Sequence, residues 1–337
     1  MTTQVSSRPT TYGLTRLSRY LATCGGPSAA ARKAAEQLGE ASAEARLLAR
    51  AVADTDAISN PQDIGLRELG RSFADAMIRR TVISALRAAV PEMRDMLPFK
   101  PLLRVDDAAG ADWVREGGIT PVTSQDFGLR LLEPLKIAAI VACSTEFARA
   151  IGSNADRILE RALVRALSRV ENERFVATTA GVAGERPDGV FMGAQSIAAA
   201  GDPKAALAAL VAGFAGDLKT SALMMNPATA FALAMALDDT DIGAAGGLFF
   251  GLPLVTNDDV PQGFVGLIDV GELEVVDAGL VPGFSDQALL TVDDGGGAGP
   301  VPMNLWESNA VALRVVKFTN WSLPDASYAR YCPNIFA

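Results

Sequence analysis

The chain has 337 residues, a formal net charge of −9 and a hydrophobic content of 49%, so it can build one large domain or two to three smaller ones. It contains no histidine, which excludes a Ser-His-Asp triad, a Cys-His pair and a His-ligated metal site. The three cysteines are widely separated, at Cys24, Cys143 and Cys332. This spacing is typical of reduced, cytosolic thiols and predicts neither a disulfide framework nor a zinc site.

The acidic charge disfavours a protein whose whole surface binds nucleic acid, although it allows local basic patches. No apolar run has the length and purity of a membrane span, and the polar, basic start MTTQVSSRPTTYGLTRLSRY lacks the apolar block of a secretory signal. We therefore expect no membrane partner.

Residues 1–60 form a lead in which Ala, Arg, Ser and Glu dominate, and Ala29–Asp54 has high helix propensity. Its apolar positions are mostly alanine, so it buries little area alone. Two interpretations stay open: an arm laid on a neighbouring subunit, or a partly mobile helix. Residues 61–99 contain a second helical stretch, Gly65–Val90, which Pro91 ends.

Residues 100–135 change to a strand pattern, with extended pieces predicted at Pro101–Val105 and Asp112–Arg115 and a further strand at Gln125–Leu132. The segment is rich in charge and poor in large apolar side chains, which indicates a long two-stranded loop. Because an isolated two-stranded ribbon is not stable alone, we expect it to lie on another subunit. By contrast, the apolar run Leu135–Ser144 is typical of a fully buried strand.

Residues 153–177 (SNADRILERALVRALSRVENERFVA) predict one long amphipathic helix, with Ser153 as its N-cap. The predicted apolar stripe comprises Leu159, Leu163, Ala166 and Val170, widened by Ile158, Ala162 and Leu167. Another face carries arginines four residues apart, at Arg157, Arg161, Arg165 and Arg169. Like charges at this spacing repel one another, so the row is either a solvated face or the partner of acids outside the helix.

The remaining chain mixes short elements without a βαβ rhythm, which indicates an α+β fold. Helices are predicted at Pro203–Ala215 and from Asn226-Pro227 to about Leu237. Strands are predicted at Ser221–Met225, Gly251–Thr256, Phe264–Asp269, Leu273–Val276 and Asn309–Asn320. The glycine-rich run Asp293–Pro300 is interpreted as a loop, because it lacks the features of a phosphate-binding loop or an EF-hand.

Several motifs occur in a specific order: a ribbon containing WVREGG, the strand LKIAAIVACSTE, the helix ERALVRALSRVENERFV, then MNPATAFAL, GLPLV and the terminal NAVALRVVKFTNW. In this order the chain resembles a tailed-bacteriophage major capsid protein with the Hong Kong 97-type (HK-97) fold, over roughly residues 66–328. The resemblance implies a shell subunit, not an enzyme, without a cofactor or metal. It would self-assemble through hexamers and pentamers into an icosahedral virion capsid around double-stranded DNA.

The resemblance also implies a domain organisation. After the arm (1–60) and the helical start (61–99), residues 100–135 would be the extended loop. Residues 136–218 would form the peripheral domain with the spine helix 153–177, residues 219–292 the axial domain, and residues 293–337 a return to the peripheral domain.

The resemblance further implies partners: scaffolding, portal and cement proteins, with weak, non-specific contact to the packaged DNA. Assembly is expected in the host cytoplasm. Two departures from some relatives are visible. The lead is shorter than a fused scaffold, and the loop has no lysine between Lys100 and Lys136, so we expect no lysine-based cross-link at its tip.

Candidate intersubunit residues are the loop residues Trp113, Arg115 and Glu116 and the row Arg157, Arg161, Arg165 and Arg169. The row is expected to pair with acids of the loop (Asp106, Asp107, Asp112, Glu116) or of the lead (Glu36, Glu40, Glu44); a rival interpretation directs it towards the genome.

Two other functions are weighed. An encapsulin-like compartment shares the fold and would differ in its cargo. A histidine-free enzyme would use a carboxylate pair such as Asp258 with Asp259, or Glu171 with Glu173. Adjacent acids on a strand point to opposite faces, and acids in turns lie mostly in solvent, which disfavours the enzyme.

Overall fold

The computed structural model describes residues 27–38, 77, 80–105, 113, 115, 127–146, 153–199, 201–238, 241–292 and 301–337. The helices in these residues are α1 (Pro27–Leu38), α2 (Val82–Ala89), α3 (Ser153–Phe175), α4 (Pro203–Val211) and α5 (Pro227–Leu237). The strands are β1 (Arg94–Met96), β2 (Leu102–Val105), β3 (Phe127–Arg130), β4 (Leu135–Ser144), β5 (Gln195–Ser196), β6 (Ser221–Met225), β7 (Ile242–Gly243), β8 (Gly246–Phe249), β9 (Leu252–Thr256), β10 (Val265–Asp269), β11 (Glu274–Ser285), β12 (Leu289–Val292), β13 (Val301–Asn304), β14 (Ala310–Ser322) and β15 (Ala329–Cys332). The predicted α+β class is confirmed.

A four-stranded sheet in the order β1-β11-β14-β4 carries the long helix α3 on one face. Leu163, Val164 and Leu167 of α3 pack against Leu313 and Val315 of β14. Among the described strands, β4 lies at the edge of this sheet and pairs only with β14, in antiparallel register.

A seven-stranded sheet in the order β5-β15-β10-β6-β9-β8-β7 forms the second layer. On one face, α4 and α5 pack through Leu207, Leu210 and Leu233 against Leu223 and Val265. On the other face, α2 and the end of α3 pack with Phe191, Met224 and Ile268. The sheet is therefore covered by helices at its centre on both sides.

The side chain of Trp321, on β14, joins the two sheets. Its ring packs edge-on against Phe175 at the end of α3, with ring centroids 5.4 Å apart. Its indole Nε1 donates a 2.9 Å hydrogen bond to the carbonyl of Asp188. Trp321 thus belongs to the same buried cluster as Phe191 and Phe264, although its strand lies in the other sheet.

Several local predictions are confirmed closely. The strand Ser221–Met225 is fully buried, and Asn226 caps α5 by accepting a 2.9 Å hydrogen bond from the backbone N–H of Ala228. Pro227 takes the first turn of that helix. Two of the strands predicted for the loop pair as β2 and β3, from Leu102 opposite Arg130 to Val105 opposite Phe127. Trp113 and Arg115, in the third predicted piece, are not in a strand.

The predicted helix Gly65–Val90 is wrong as a continuous element, because Thr81 has extended backbone angles between Arg80 and α2. The interruption is stabilised by Asn172 of α3, whose side chain binds the backbone of Arg80 and Val82. The long helix itself ends at Phe175, two residues earlier than the predicted 177.

The prediction that Leu135–Ser144 is fully buried is also wrong for the single chain. Along β4, half-buried and exposed residues alternate. Ile137, Ala139 and Val141 face α3, whereas Ile140 on the opposite face is 51% exposed. The position of β4 at the sheet edge, with a helix on only one side, explains the alternation.

Candidate intersubunit surfaces

The long helix α3 presents a different face to the core from the predicted stripe. Leu163, Val164 and Leu167 are buried as expected of apolar residues, but Ala166 and Val170 are exposed. Their expected place is taken by three buried polar residues, Ser168, Glu171 and Asn172. Ser168 donates to the Val164 carbonyl within the helix, whereas Glu171 and Asn172 bind other segments, so these two contacts help packing to fix the core-facing side of α3.

Glu171 forms a buried ion pair with Lys317 of β14. The Lys317 ammonium donates to both carboxylate oxygens, at 2.8 and 2.7 Å, and Glu171 is 1% exposed. Burial raises the pKa of the Glu171 carboxyl, and the nearby Lys317 charge opposes that shift. The pair ties the middle of the four-stranded sheet to α3.

Asn172 connects three segments of the chain. Its side-chain oxygen accepts from the backbone N–H of Val82 at 2.9 Å. Its amide nitrogen donates to the Arg80 carbonyl at 2.9 Å and to the Asp259 carboxylate at 2.8 Å. One buried side chain thereby holds the start of α2 and the turn after β9 against α3.

The predicted arginine row is exposed where its side chains are described. Arg161 and Arg165 lie on the outer face of α3 and form no ion pair with any other described residue. Arg169 donates to Glu173 on the next turn, with 2.6 Å between Nε and Oε1, and this carboxylate raises the pKa of the guanidinium. The side chain of Arg157 lies outside the described residues. A surface pair such as Arg169–Glu173 contributes little to stability, so most of the row remains available to a partner.

A groove of about 340 Å³ runs between α3 and the edge strand β4. The exposed side chains of Ala166 and Val170 form one wall, and Leu135 to Ala139 form the other. Arg174, Glu185, Arg186 and Pro187 also line the groove. Ala166 and Val170, which the predicted stripe assigned to the core, therefore line a surface groove.

The two-stranded ribbon of β2 and β3 is the base of the predicted extended loop. Trp113 is fully exposed and Arg115 is exposed, whereas Glu116 and the acids Asp106, Asp107 and Asp112 lie outside the described residues. Among the acids proposed for the lead, Glu36 is exposed on α1, and Glu40 and Glu44 lie outside the described part.

The carboxylate pairs considered for an enzyme do not converge. Glu171 binds Lys317 in the core, whereas Glu173 binds Arg169 at the surface. Asp258 is exposed, whereas Asp259 accepts from Asn172. No group of three or more metal-ligating side chains was found in the described residues, and no helix among them is both long and apolar enough to span a bilayer.

Two exposed apolar features of the seven-stranded sheet were not recognised as surface in the sequence. On α5, Phe231 and Met235 are 58% and 72% exposed, and at the β8–β9 turn Phe250 is 91% exposed. The signals were present: α5 (PATAFALAMAL) has no charged or polar-amide residue, and two phenylalanines stand between glycines in GGLFFG. An element that is apolar on all sides is normally covered on all sides.

Comparison with known proteins identifies the family. Residues 70–277 match the model of the phage capsid family. The capsid polyprotein of Pseudomonas phage PAJU2 is 31% identical over 271 residues, which cover 73% of this chain and 40% of that protein. The chain thus spans about two-fifths of the length of this relative.

Solved structures agree in fold at low sequence identity. A structure from Gordonia phage Cozz has a TM-score of 0.56 at 14% identity, covering 75% of this chain and 86% of that chain. One from Microbacterium phage Oxtober96 has a TM-score of 0.53 at 16% identity, covering 74% and 89%. The family match and the shared architecture together show that the chain belongs to the phage capsid family and has the HK-97-type fold.

Proposed function

We propose that this chain is the major capsid protein of a tailed bacteriophage and self-assembles through hexamers and pentamers into an icosahedral virion shell around double-stranded DNA. Membership of the phage capsid family carries the proposal. As a structural subunit it would not be an enzyme. Exposed large apolar side chains on the ribbon and both sheets support a subunit that is complete only among its neighbours.

We assign the parts of the fold to capsid domains by their sheets. The four-stranded sheet with α3 would be the peripheral domain, and the seven-stranded sheet with α4 and α5 would be the axial domain. Strand pairing favours an axial boundary near residue 272 instead of 292, because β11 pairs with β14 in the four-stranded sheet. Because β15 pairs with β10 of the seven-stranded sheet, strand pairing also favours assigning β15 to the axial domain.

Electron microscopy of the purified protein tests the function directly. Icosahedral particles are expected, and nucleic acid inside them would distinguish a genome shell from a compartment that encloses enzymes. A soluble monomer that never assembles under capsid-forming conditions would contradict the proposal. Scaffolding, portal and cement proteins, and assembly in the host cytoplasm, are expected from the same proposal.

The arginine row is proposed to bind acids of a neighbouring subunit. Arg161 and Arg165 are exposed and carry like charge one turn apart, on the same helix whose Ala166 and Val170 line the apolar groove. Acidic residues of an adjoining loop or arm would remove the repulsion along the row and place a chain in the groove. Trp113, Arg115 and Glu116 would belong to that intersubunit contact.

Charge reversal at Arg161 and Arg165 tests this pairing. The double variant Arg161→Glu with Arg165→Glu is expected to fold but not to assemble, as followed by size-exclusion chromatography and microscopy. The control Lys204→Glu with Lys219→Glu reverses the same number of exposed charges and should assemble. Normal particles that only lose DNA would show that the row faces the genome and would refute the pairing.

Deletion of the ribbon tests its role as a clasp between subunits. Without residues 101–132 the chain is expected to remain soluble, since the ribbon pairs only with itself among the described strands. Stable shells should not form, because the neighbouring subunit loses its covering strand pair. Particles of normal yield and heat resistance from this deletion would contradict the prediction.

A further inference from the structure

The two outer strands of the four-stranded sheet differ in how their edges are protected. At one edge, β1 is three residues long, and two of the three, Arg94 and Asp95, form ion pairs with Glu272 and Arg87. Short length and charged side chains are common devices that keep an edge strand from pairing with another chain. The β1 edge is therefore protected by its own sequence.

The strand β4, at the other edge, has none of these devices. Its ten residues pair with β14 in one continuous register, without a bulge or a proline, and Lys136 is the only charged residue among them. The side of β4 away from β14 has no partner among the described strands. A long apolar strand of this kind presents a row of backbone N–H and C=O groups with which another strand can pair. The chemistry of this edge therefore selects an extended segment of another chain.

The charges at the two ends of β4 indicate which strand fits. Lys136 is the second residue of the strand, Glu146 follows the last residue by two positions, and both are exposed. Neither forms an ion pair with another described residue. In an antiparallel pair, the start of one strand lies beside the end of the other. A second β4 would therefore bring Lys136 of each copy beside Glu146 of the other copy.

We infer that β4 pairs in antiparallel orientation with β4 of a second copy of this chain, about a two-fold axis near Ile140. Pairing joins the two four-stranded sheets into one continuous sheet. Residues that pair across the axis lie on the same face of the sheet, so Ile140 of both copies stays on the face opposite α3. Two contacts between Lys136 and Glu146 flank the axis and stabilise this register.

A strand of a neighbour's extended loop is the other occupant that the β4 edge allows. The strands β2 and β3 have four residues each, so either one would pair with fewer than half of the ten positions of β4. A second β4 covers the whole strand and supplies an opposite charge at both ends. Length and charge together favour the second copy.

The symmetry of this contact determines its place in an assembly. The same surface is used on both copies, so the contact joins copies in pairs and cannot by itself close a ring. Hexamers and pentamers are rings, and the β4 pair would therefore connect a subunit of one ring to a subunit of the next. This placement rests on the proposed capsid function.

Cross-linking of assembled particles through position 140 tests the two-fold pair. The two copies of Ile140 would lie opposite or diagonal to each other, within about 8 Å. Particles of Ile140→Cys treated with a short bis-maleimide should therefore give covalent dimers on denaturing gels. Wild-type particles, which retain the native cysteines, give the background, and Met192→Cys, at an exposed residue outside the four-stranded sheet, is the matched control. A dimer yield no higher than in these two controls would overturn the inference.

A charge swap, made together with Ile140→Cys, tests the orientation of the two strands. Lys136→Glu and Glu146→Lys should each lower the dimer yield by about threefold or more, because like charges then meet across the pair. Combining the two substitutions in one chain should restore the yield, and Lys204→Glu, at an exposed lysine of α4, should not change it. A combined variant that stays as low as the single variants would show that the two charges serve different partners and would overturn the inference.

Failure of the wild-type chain to form particles would instead refute the proposed function. The same cross-link in concentrated, unassembled subunits would then decide the β4 pairing by itself: dimers above the two controls would support the pairing, and their absence would overturn it.

Discussion

Replacement of Lys317 by methionine is expected to destabilise the folded subunit by about 3–5 kcal/mol, the range found when one partner of a buried ion pair is removed. Methionine keeps most of the volume of the lysine stem but leaves the Glu171 carboxylate, which is 1% exposed, without its ammonium. Most of the loss would therefore come from the uncompensated carboxylate and not from packing.

The pH dependence of this loss follows from the direction of the Glu171 pKa. Burial raises this pKa while Lys317 opposes the rise, so removal of Lys317 should raise it further. A carboxyl with a higher pKa in the folded state binds more protons when folded, so stability falls as the pH rises through its unfolded and then its folded pKa. The loss of stability in the Lys317→Met variant should be smallest below about pH 4, near the ordinary pKa of glutamate, and largest at neutral pH.

Urea unfolding of unassembled subunits measures the effect, and the buried Trp321 beside Phe175 provides a fluorescence signal. Lys204→Met removes an exposed lysine in the same way and should change stability by less than about 0.5 kcal/mol. Adding Glu171→Leu to Lys317→Met should recover most of the loss, because the pair is then replaced by apolar groups. Equal stability of the Lys317 and Lys204 variants, or additive losses in the double variant, would refute the argument.

Two further substitutions test the packing around α3 and the seven-stranded sheet. Asn172→Ala should cost about 2–3 kcal/mol in urea unfolding, because the buried N–H of Val82 loses its acceptor, and a cost below about 0.5 kcal/mol would contradict the role of Asn172. Gly266→Ala should cost about 1–3 kcal/mol by overpacking, since a Cβ there would meet the Phe191 ring at 2.3 Å. Gly243→Ala has open space around the new Cβ and is the matched control; equal melting temperatures for the two glycine variants would contradict the packing argument.

Elements with strong local signals were predictable from the sequence. Asn226-Pro227 combines a capping side chain with a proline suited to the first turn, and the run Ser221–Met225 has no polar residue after its first position. By contrast, β11 was predicted as Leu273–Val276 but extends to Ser285. The glycines and Pro282 in that stretch indicate turns, yet pairing with β14 and a bulge at Asp277/Gly279 carry the strand through them.

The face of α3 could not be predicted because its deciding contacts are distant in sequence. Glu171 and Lys317 are 146 residues apart, and Asn172 meets Val82 across 90 residues. The prediction used only the helical spacing of apolar residues. It therefore assigned Ala166 and Val170 to the core and did not identify the polar residues that are buried there. Arg161, Arg165 and Arg169 of the arginine row lie on an exposed face, but the partner of the row remains a prediction.

The exposed apolar residues of β4 and α5 share one physical explanation. Both sequences indicate complete burial, yet Ile140 and Met235 are largely exposed in the single chain. The hydrophobic pattern of a sequence reflects which residues are buried in the functional state, whether they are buried by their own chain or by a neighbouring subunit. In a closed shell, neighbouring subunits would bury much of this apolar surface. An element that is more apolar than its exposure in the single chain explains is therefore expected to contact a neighbouring subunit. By this reasoning the outer face of the four-stranded sheet, which carries Ile140 on β4 and the half-exposed Val281 two strands away on β11, is a surface to examine by cysteine cross-linking.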